Sequence, residues 1–144
     1  MEKSPVEKGL LGKKEIEEFL EDIEDYKPES AVNWLKDYLP TVKVIYAFQI
    51  LNAINEDNSW QIVDIVKDKL WNDLGGIFQA DLEGFSNTDD FHILWQFPSI
   101  VDGDWSVAVL DGNKWINFVI DLGNPSHKQA FQEGSVPDGV EIIK

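Results

Sequence analysis

The sequence predicts an α+β fold, and three observations predict it. Apolar residues recur at helical spacing from Lys13 to Tyr38, the period shortens to two from Thr41, and Asp111-Gly112-Asn113-Lys114 separates two alternating runs as a hairpin turn does. The expected architecture is two N-terminal helices, then a strand-helix-strand unit continuing into an antiparallel meander. About five strands would share one mixed sheet, followed by a short C-terminal helix. A loose leader over 1–12 precedes a single domain over 13–144, divided into a helical hairpin at 13–39, the sheet with one helix at 41–122, and the C-terminal helix and tail at 124–144.

Each element has its own signal. Lys13 to Tyr26 places Ile16, Phe19, Leu20, Ile23 and Tyr26 on one helical face, with glutamates and aspartates filling the rest. Its charge order opposes the helix dipole, with Lys13 and Lys14 at the positive end and Glu24 and Asp25 at the negative end, so packing must hold it. A second helix starts at Pro28, carries Ala31, Trp34, Leu35 and Tyr38 on one face, and stops at Pro40. From Thr41 to Leu51 both faces are apolar, the pattern of a strand covered on both sides. Asn52 to Asn58 is a turn-rich link. Ser59 then caps a helix running to Leu74, with Ile62, Val63, Val66, Leu70 and Leu74 as its core stripe and Gly75 just beyond its end.

The remainder alternates as strands do. Ile77 to Glu83 sets Phe78, Ala80 and Leu82 against Gln79, Asp81 and Glu83, and Phe91 to Phe97 sets Ile93, Trp95 and Phe97 against His92, Leu94 and Gln96. The hairpin runs Trp105 to Leu110 and Trp115 to Leu122, and groups Trp105, Val107 and Val109 with Ile116, Phe118 and Ile120 as the buried face. Asn124 and Pro125 open a short helix through Phe131, and Val136-Pro137-Asp138-Gly139 turns into an apolar tail.

Composition narrows the function. Twelve lysines and no arginine stand against 27 acidic residues, a formal net charge of −15. Without a guanidinium there is no bidentate phosphate clamp, and the net charge opposes a nucleic-acid backbone, so no direct nucleic-acid binding is expected. Cysteine is absent, which removes disulfides, thiolate nucleophiles and Cys-type metal sites. Met1 to Lys14 carries no signal-peptide core and no apolar run reaches bilayer length, so the expected protein is soluble, cytoplasmic and without a membrane partner.

Catalytic motifs do not emerge. His92 and His127 lack ligand spacing, Asn55-Glu56-Asp57-Asn58 departs from a calcium loop, and Gly75-Gly76 sits at a helix-to-strand junction rather than the strand-to-helix order that cradles phosphate. No cofactor and no metal is expected. What stands out is an anionic segment: between Lys69 and Lys114 there is no lysine, yet Asp73, Asp81, Glu83, Asp89, Asp90, Asp102, Asp104 and Asp111 all fall there.

Two chemical readings use it. Asp81 and Glu83, two apart on one strand face, would lie roughly 7 Å apart. They could imitate successive phosphates for a basic partner, or act as an acid and base pair on a glycan with Trp95, Trp105 or Trp115 as the stacking platform. Asp89, Asp90 and His92 could form a hard-metal or general-base cluster. The candidate binding residues are therefore Asp81, Glu83, Asp89, Asp90, His92 and Trp115. The expected function is a non-enzymatic module, of inhibitor, immunity or adaptor type, that binds a basic protein. Small polar ligand or glycan binding or hydrolysis is the alternative, and an ordinary solvated anionic face is the plain structural reading of the same residues.

Overall fold

A computed structural model of the chain describes residues 1–49 and 59–144. It is α+β, with small antiparallel sheets of two, two and three strands in place of the expected five-stranded sheet. The chain divides into two compact units, one of Met1–Glu17 with Val42–Gly76 and one of Glu18–Thr41 with Ile77–Lys144.

In the first unit the expected leader supplies a strand. β1 (Glu2–Pro5) pairs antiparallel with β2 (Val44–Ala47), from Glu2 opposite Ala47 to Pro5 opposite Val44. The Lys3 ammonium lies 5.9 Å from the ring centre of Tyr46, its cross-strand neighbour. Pro5 ends the strand, and the next amide, Val6, donates to the Lys43 carbonyl at 2.9 Å. Among the described residues β2 pairs with β1 and β3 with β4, both antiparallel, in place of the expected parallel crossover between them. Val44, Ile45 and Tyr46 are half-buried and Ala47 is exposed, so each face of β2 is partly covered. Ile50, Leu51 and the Asn52–Asn58 link lie outside the described residues.

α1 (Leu11–Asp22) contributes Leu11–Glu17 to this unit and its last turn to the other. α3 (Ser59–Leu74) has the expected bounds but a shifted stripe. Val63, Val66, Lys67, Leu70 and Trp71 form its half-buried side at i, i+3, i+4, i+7 and i+8, while Ile62 and Leu74 of the expected stripe are exposed. The apolar residues wrap too far round the helix to lie on one side of it. The side chain of Trp60 lies outside the described residues.

The second unit carries the main core. β5 (Asp104–Asp111) and β6 (Lys114–Asp121) pair through a two-residue turn. Gly112 there takes φ +63 and Asn113 stays out of the left-handed region, the pattern of a type II′ turn that suits strand twist. Trp105 opposes Ile120, Val107 opposes Phe118 and Val109 opposes Ile116, one of the two-residue registers that keep the expected residues on one face. Val107, Val109, Phe118 and Ile120 are buried and pack with Phe97, Leu122 and Phe131. α4 (Pro125–Gln132) packs on β6 on this side, its start capped by Asn124, whose Oδ1 accepts from the Ser126 amide at 3.0 Å. α2 (Glu29–Tyr38) packs on β5, and Trp34 meets Trp115 edge-on at 5.2 Å between ring centres. Trp115 is thus part of the packing of α2 on the opposite sheet face. The apolar tail forms β7 (Ile142–Ile143) against β6.

Two expected strands are broken. Ile77–Glu83 is instead β3 (Phe78–Ala80) and a tight turn into β4 (Gly84–Ser86). Phe91–Phe97 touches the sheet only at His92 and then bends at Leu94, so that the Trp95 amide donates to the Lys27 carbonyl at 2.7 Å. The bend ends the alternation and turns Trp95 and His92 into one aromatic cluster rather than onto opposite faces.

Candidate functional site

Asp81 and Glu83 are exposed, but they flank Leu82 at the tip of the β3–β4 turn rather than sharing a strand face. Gln79 Nε2 donates to Asp81 Oδ1 at 3.4 Å. Leu82 holds φ +66 with 78% of its surface exposed, a left-handed conformation that costs a residue with a Cβ about 1–2 kcal/mol. Nothing in the alternation announces it. Leu82→Gly is expected to raise stability by about 1 kcal/mol in chemical denaturation, since it relieves that strain and buries nothing less. A loss of stability would mean that the leucine side chain packs in solution.

Asp89 and Asp90 lie in the next loop, at the far end of β4. The loop is built on Asn87, which is fully buried and whose Oδ1 accepts from the Asp89 amide at 3.0 Å and the Phe91 amide at 3.1 Å. Asp90 takes φ +64, a conformation that aspartate tolerates. Both carboxylates are exposed, whereas the His92 ring is buried, so the three do not gather as a metal or base cluster. Among the described residues no group of three His, Cys, Asp or Glu side chains is placed to hold a metal ion.

His92 is 4% exposed. Its ring packs on Phe97 at 4.6 Å between centres, and on Trp105 and Phe131 at 6.4 Å each. Its Nε2 has no hydrogen-bond partner. Burial lowers its pKa to about 4, against a smaller opposing effect of a hydrogen bond to the Leu94 backbone, so the ring is neutral at pH 7. No local signal marks this burial, because a histidine one residue beyond a pair of aspartates reads as a surface residue.

The tryptophans considered as sugar platforms are occupied. Trp95 packs on Phe97 at 5.3 Å and Phe131 at 6.1 Å, Trp105 on Phe97 at 5.1 Å, and Trp115 on Trp34. A shallow depression of about 510 Å³ lies elsewhere, lined by Val119, Val140, Glu141, Ile142 and Ile143, and only Glu141 among these side chains is polar.

Carboxylates do converge at the base of the β5–β6 hairpin. Asp104 lies directly opposite Asp121 across the strands, and both are exposed. Asp102 joins them: a Cβ added at Gly123 would sit 3.2 Å from Asp121 Oδ1 and 3.4 Å from Asp102 Cβ. The loop is held by the Leu122 amide on the Gly103 carbonyl and the Gly123 amide on Asp121 Oδ1, each at 2.8 Å, while the Asp121 amide donates to His127 Nδ1 at 3.1 Å. Among the described residues none of the three aspartates makes an ion pair. Sequence reasoning missed Asp121: only with Asp111 opposite Lys114 does counting seven residues out along each strand bring Asp104 and Asp121 together.

No helix among the described residues is long and apolar enough to cross a membrane. No family model, curated protein or solved structure matches this chain.

Proposed function

We propose that the chain is a non-enzymatic macromolecule-binding module of inhibitor, immunity or adaptor type, acting in the cytoplasm on a protein with a basic surface. The supporting observation is the facing pair Asp104 and Asp121 with Asp102 beside it. Like charges directly opposite on paired strands are destabilising, and no lysine offsets them among the described residues. A surface that concentrates negative charge at such a cost is suited to a cationic partner, whose approach it steers and whose register it selects. The exposed carboxylates of Asp81, Glu83, Asp89 and Asp90 extend the same sign of charge along the loops of this unit.

The test is retention from native lysate at low and high salt, comparing the wild type with Asp102→Asn/Asp104→Asn and with Asp89→Lys/Asp90→Lys. The expected result is one basic protein held at low salt, released at high salt, and lost from the Asp102→Asn/Asp104→Asn variant, which should itself be about 0.5 kcal/mol more stable because the repulsion is gone. A bait that retains nothing at low salt overturns the proposal, as does a variant that keeps the same partner through the same salt wash.

A further inference from the structure

His92 is bridged on one side to Val107 of β5 and on the other to Ser86 of β4, and so links the β3–β4 hairpin to the β5–β6–β7 sheet. On one side its amide donates to the Ser106 carbonyl at 3.0 Å and its carbonyl accepts from the Ala108 amide at 2.9 Å. On the other, the flanking Ile93 amide donates to the Phe85 carbonyl at 2.9 Å, and Phe91 accepts from the Asn87 amide at 2.8 Å. The same residue sends its ring into the cluster of Phe97, Trp105 and Phe131. Backbone joint and buried ring are therefore one residue.

We propose that His92 is an acid-sensitive latch: neutral, it locks the β3–β4 hairpin to β5, and protonated, its ring leaves the aromatic cluster and the hairpin parts from β5 while β5 and β6 stay paired.

The chemistry follows from the two ring nitrogens. Nε2 has no partner, so the nitrogen that bonds the Leu94 backbone is Nδ1, and an added proton arrives at Nε2 with no acceptor in reach. A buried cation without a partner is expelled or destabilises what encloses it. The charged and titratable groups on the surrounding elements do not rescue it. Asp89 and Asp90 precede it, Asp102 follows Phe97, and Asp104 and Asp111 sit at the two ends of β5; all five are exposed. On β6 the charges are Lys114 and Asp121, again at the strand ends and exposed. From α4, Lys128 lies 5.7 Å from the Trp95 ring centre, His127 Nδ1 is taken by the Asp121 amide, and Glu133 is exposed just beyond the helix. Lys27, at the Trp95 bridge, is exposed and brings no negative charge.

The sign is fixed by the two states. Closed, the ring takes its proton only near pH 4, whereas released into water it takes it near the ordinary 6.5, so acid favours the open form. The experiment is amide hydrogen exchange on the full chain from pH 7 to pH 4.5, corrected for intrinsic rates, in the wild type and in His92→Phe. Protection of the His92, Ile93 and Ala108 amides is expected to fall about tenfold per pH unit below 6.5 in the wild type, roughly 100-fold by pH 4.5. The β5–β6 amides away from the joint should keep theirs, and His92→Phe should show no such slope. The wild-type imidazole, followed by NMR, should titrate together with the loss of protection, which decides the matter even where His92→Phe does not fold. Joint amides that stay protected to pH 4.5 overturn the latch. So do a joint and β5–β6 ladder that exchange together, an equal slope in His92→Phe, or a ring that titrates with no change in exchange.

Discussion

Phe118→Ala is expected to lose about 4 kcal/mol of stability, seen as a lower midpoint in chemical denaturation followed by tryptophan fluorescence. Phe118 is fully buried on β6, with β5 on one side and β7 on the other, opposite Val107 and Ile142. Truncation removes most of a benzyl group from a cluster that also holds Val109, Ile120, Leu122 and Phe131, and a paired strand cannot move inward far enough to fill the space. The cost is then the transfer of the lost carbons plus the cavity. Trp95 and Trp105 pack against the same cluster, so the signal reports on the region that is damaged. The adjacent Val119, 39% exposed on the other sheet face, gives the control: Val119→Ala should cost under about 1 kcal/mol. Equal losses at the two positions would mean that the register is wrong by one residue, since a one-residue slip exchanges the two faces.

The buried face of that hairpin was legible in the sequence, and the reason is locality. The Asp111–Lys114 turn signal joins the two strands, and alternation sorts Val107, Val109, Phe118 and Ile120 to the inside in either two-residue register, while the structure selects the one that turns at Gly112 and Asn113. The bounds of α3 and the Asn124 cap of α4 were equally legible, because each start depends on a few adjacent residues. Sheet partnership is not local. Glu2–Pro5 pairs with Val44–Ala47 from some forty residues away, and no pattern within either segment names the other. A two-residue tail, Ile142–Ile143, completes the three-stranded sheet in the same way.

The candidate site divides along the same line. Asp81, Glu83, Asp89 and Asp90 are exposed, as their polarity implied, yet they belong to two loops at opposite ends of β4 because the chain turns at Leu82. Alternation through Leu82 looked like a strand, and its left-handed φ cannot be read from a leucine. Alternation through Leu94 sets His92 on the face opposite Trp95, whereas the chain bends at Leu94 toward Lys27 and the two rings join one cluster. The like-charged pair Asp104 and Asp121 depends on which two-residue register the hairpin takes, and alternation alone leaves that choice open.

Gly12→Ala tests the part of the fold that local signals describe worst. Gly12 falls within the expected loose leader over 1–12, and by helix propensity an alanine in α1 should stabilise it by up to about 1 kcal/mol. The packing says the opposite. Gly12 is buried, and a Cβ there would stand 2.5 Å from the Pro5 carbonyl oxygen and 2.9 Å from its carbon, with the Ser4 oxygen at 3.0 Å. These are backbone atoms of β1, which have no rotamer to change, so the strand itself must shift off the helix. A shift of β1 strains its ladder to β2 as well, and a net loss of about 3 kcal/mol is expected, outweighing the gain in propensity. Hydrogen exchange locates the damage: the β1–β2 amides should lose protection while the β5–β6 amides keep theirs. An unchanged or higher stability in Gly12→Ala would mean that residues 2–5 do not lie against α1, and that the pairing of β1 with β2 leaves α1 free.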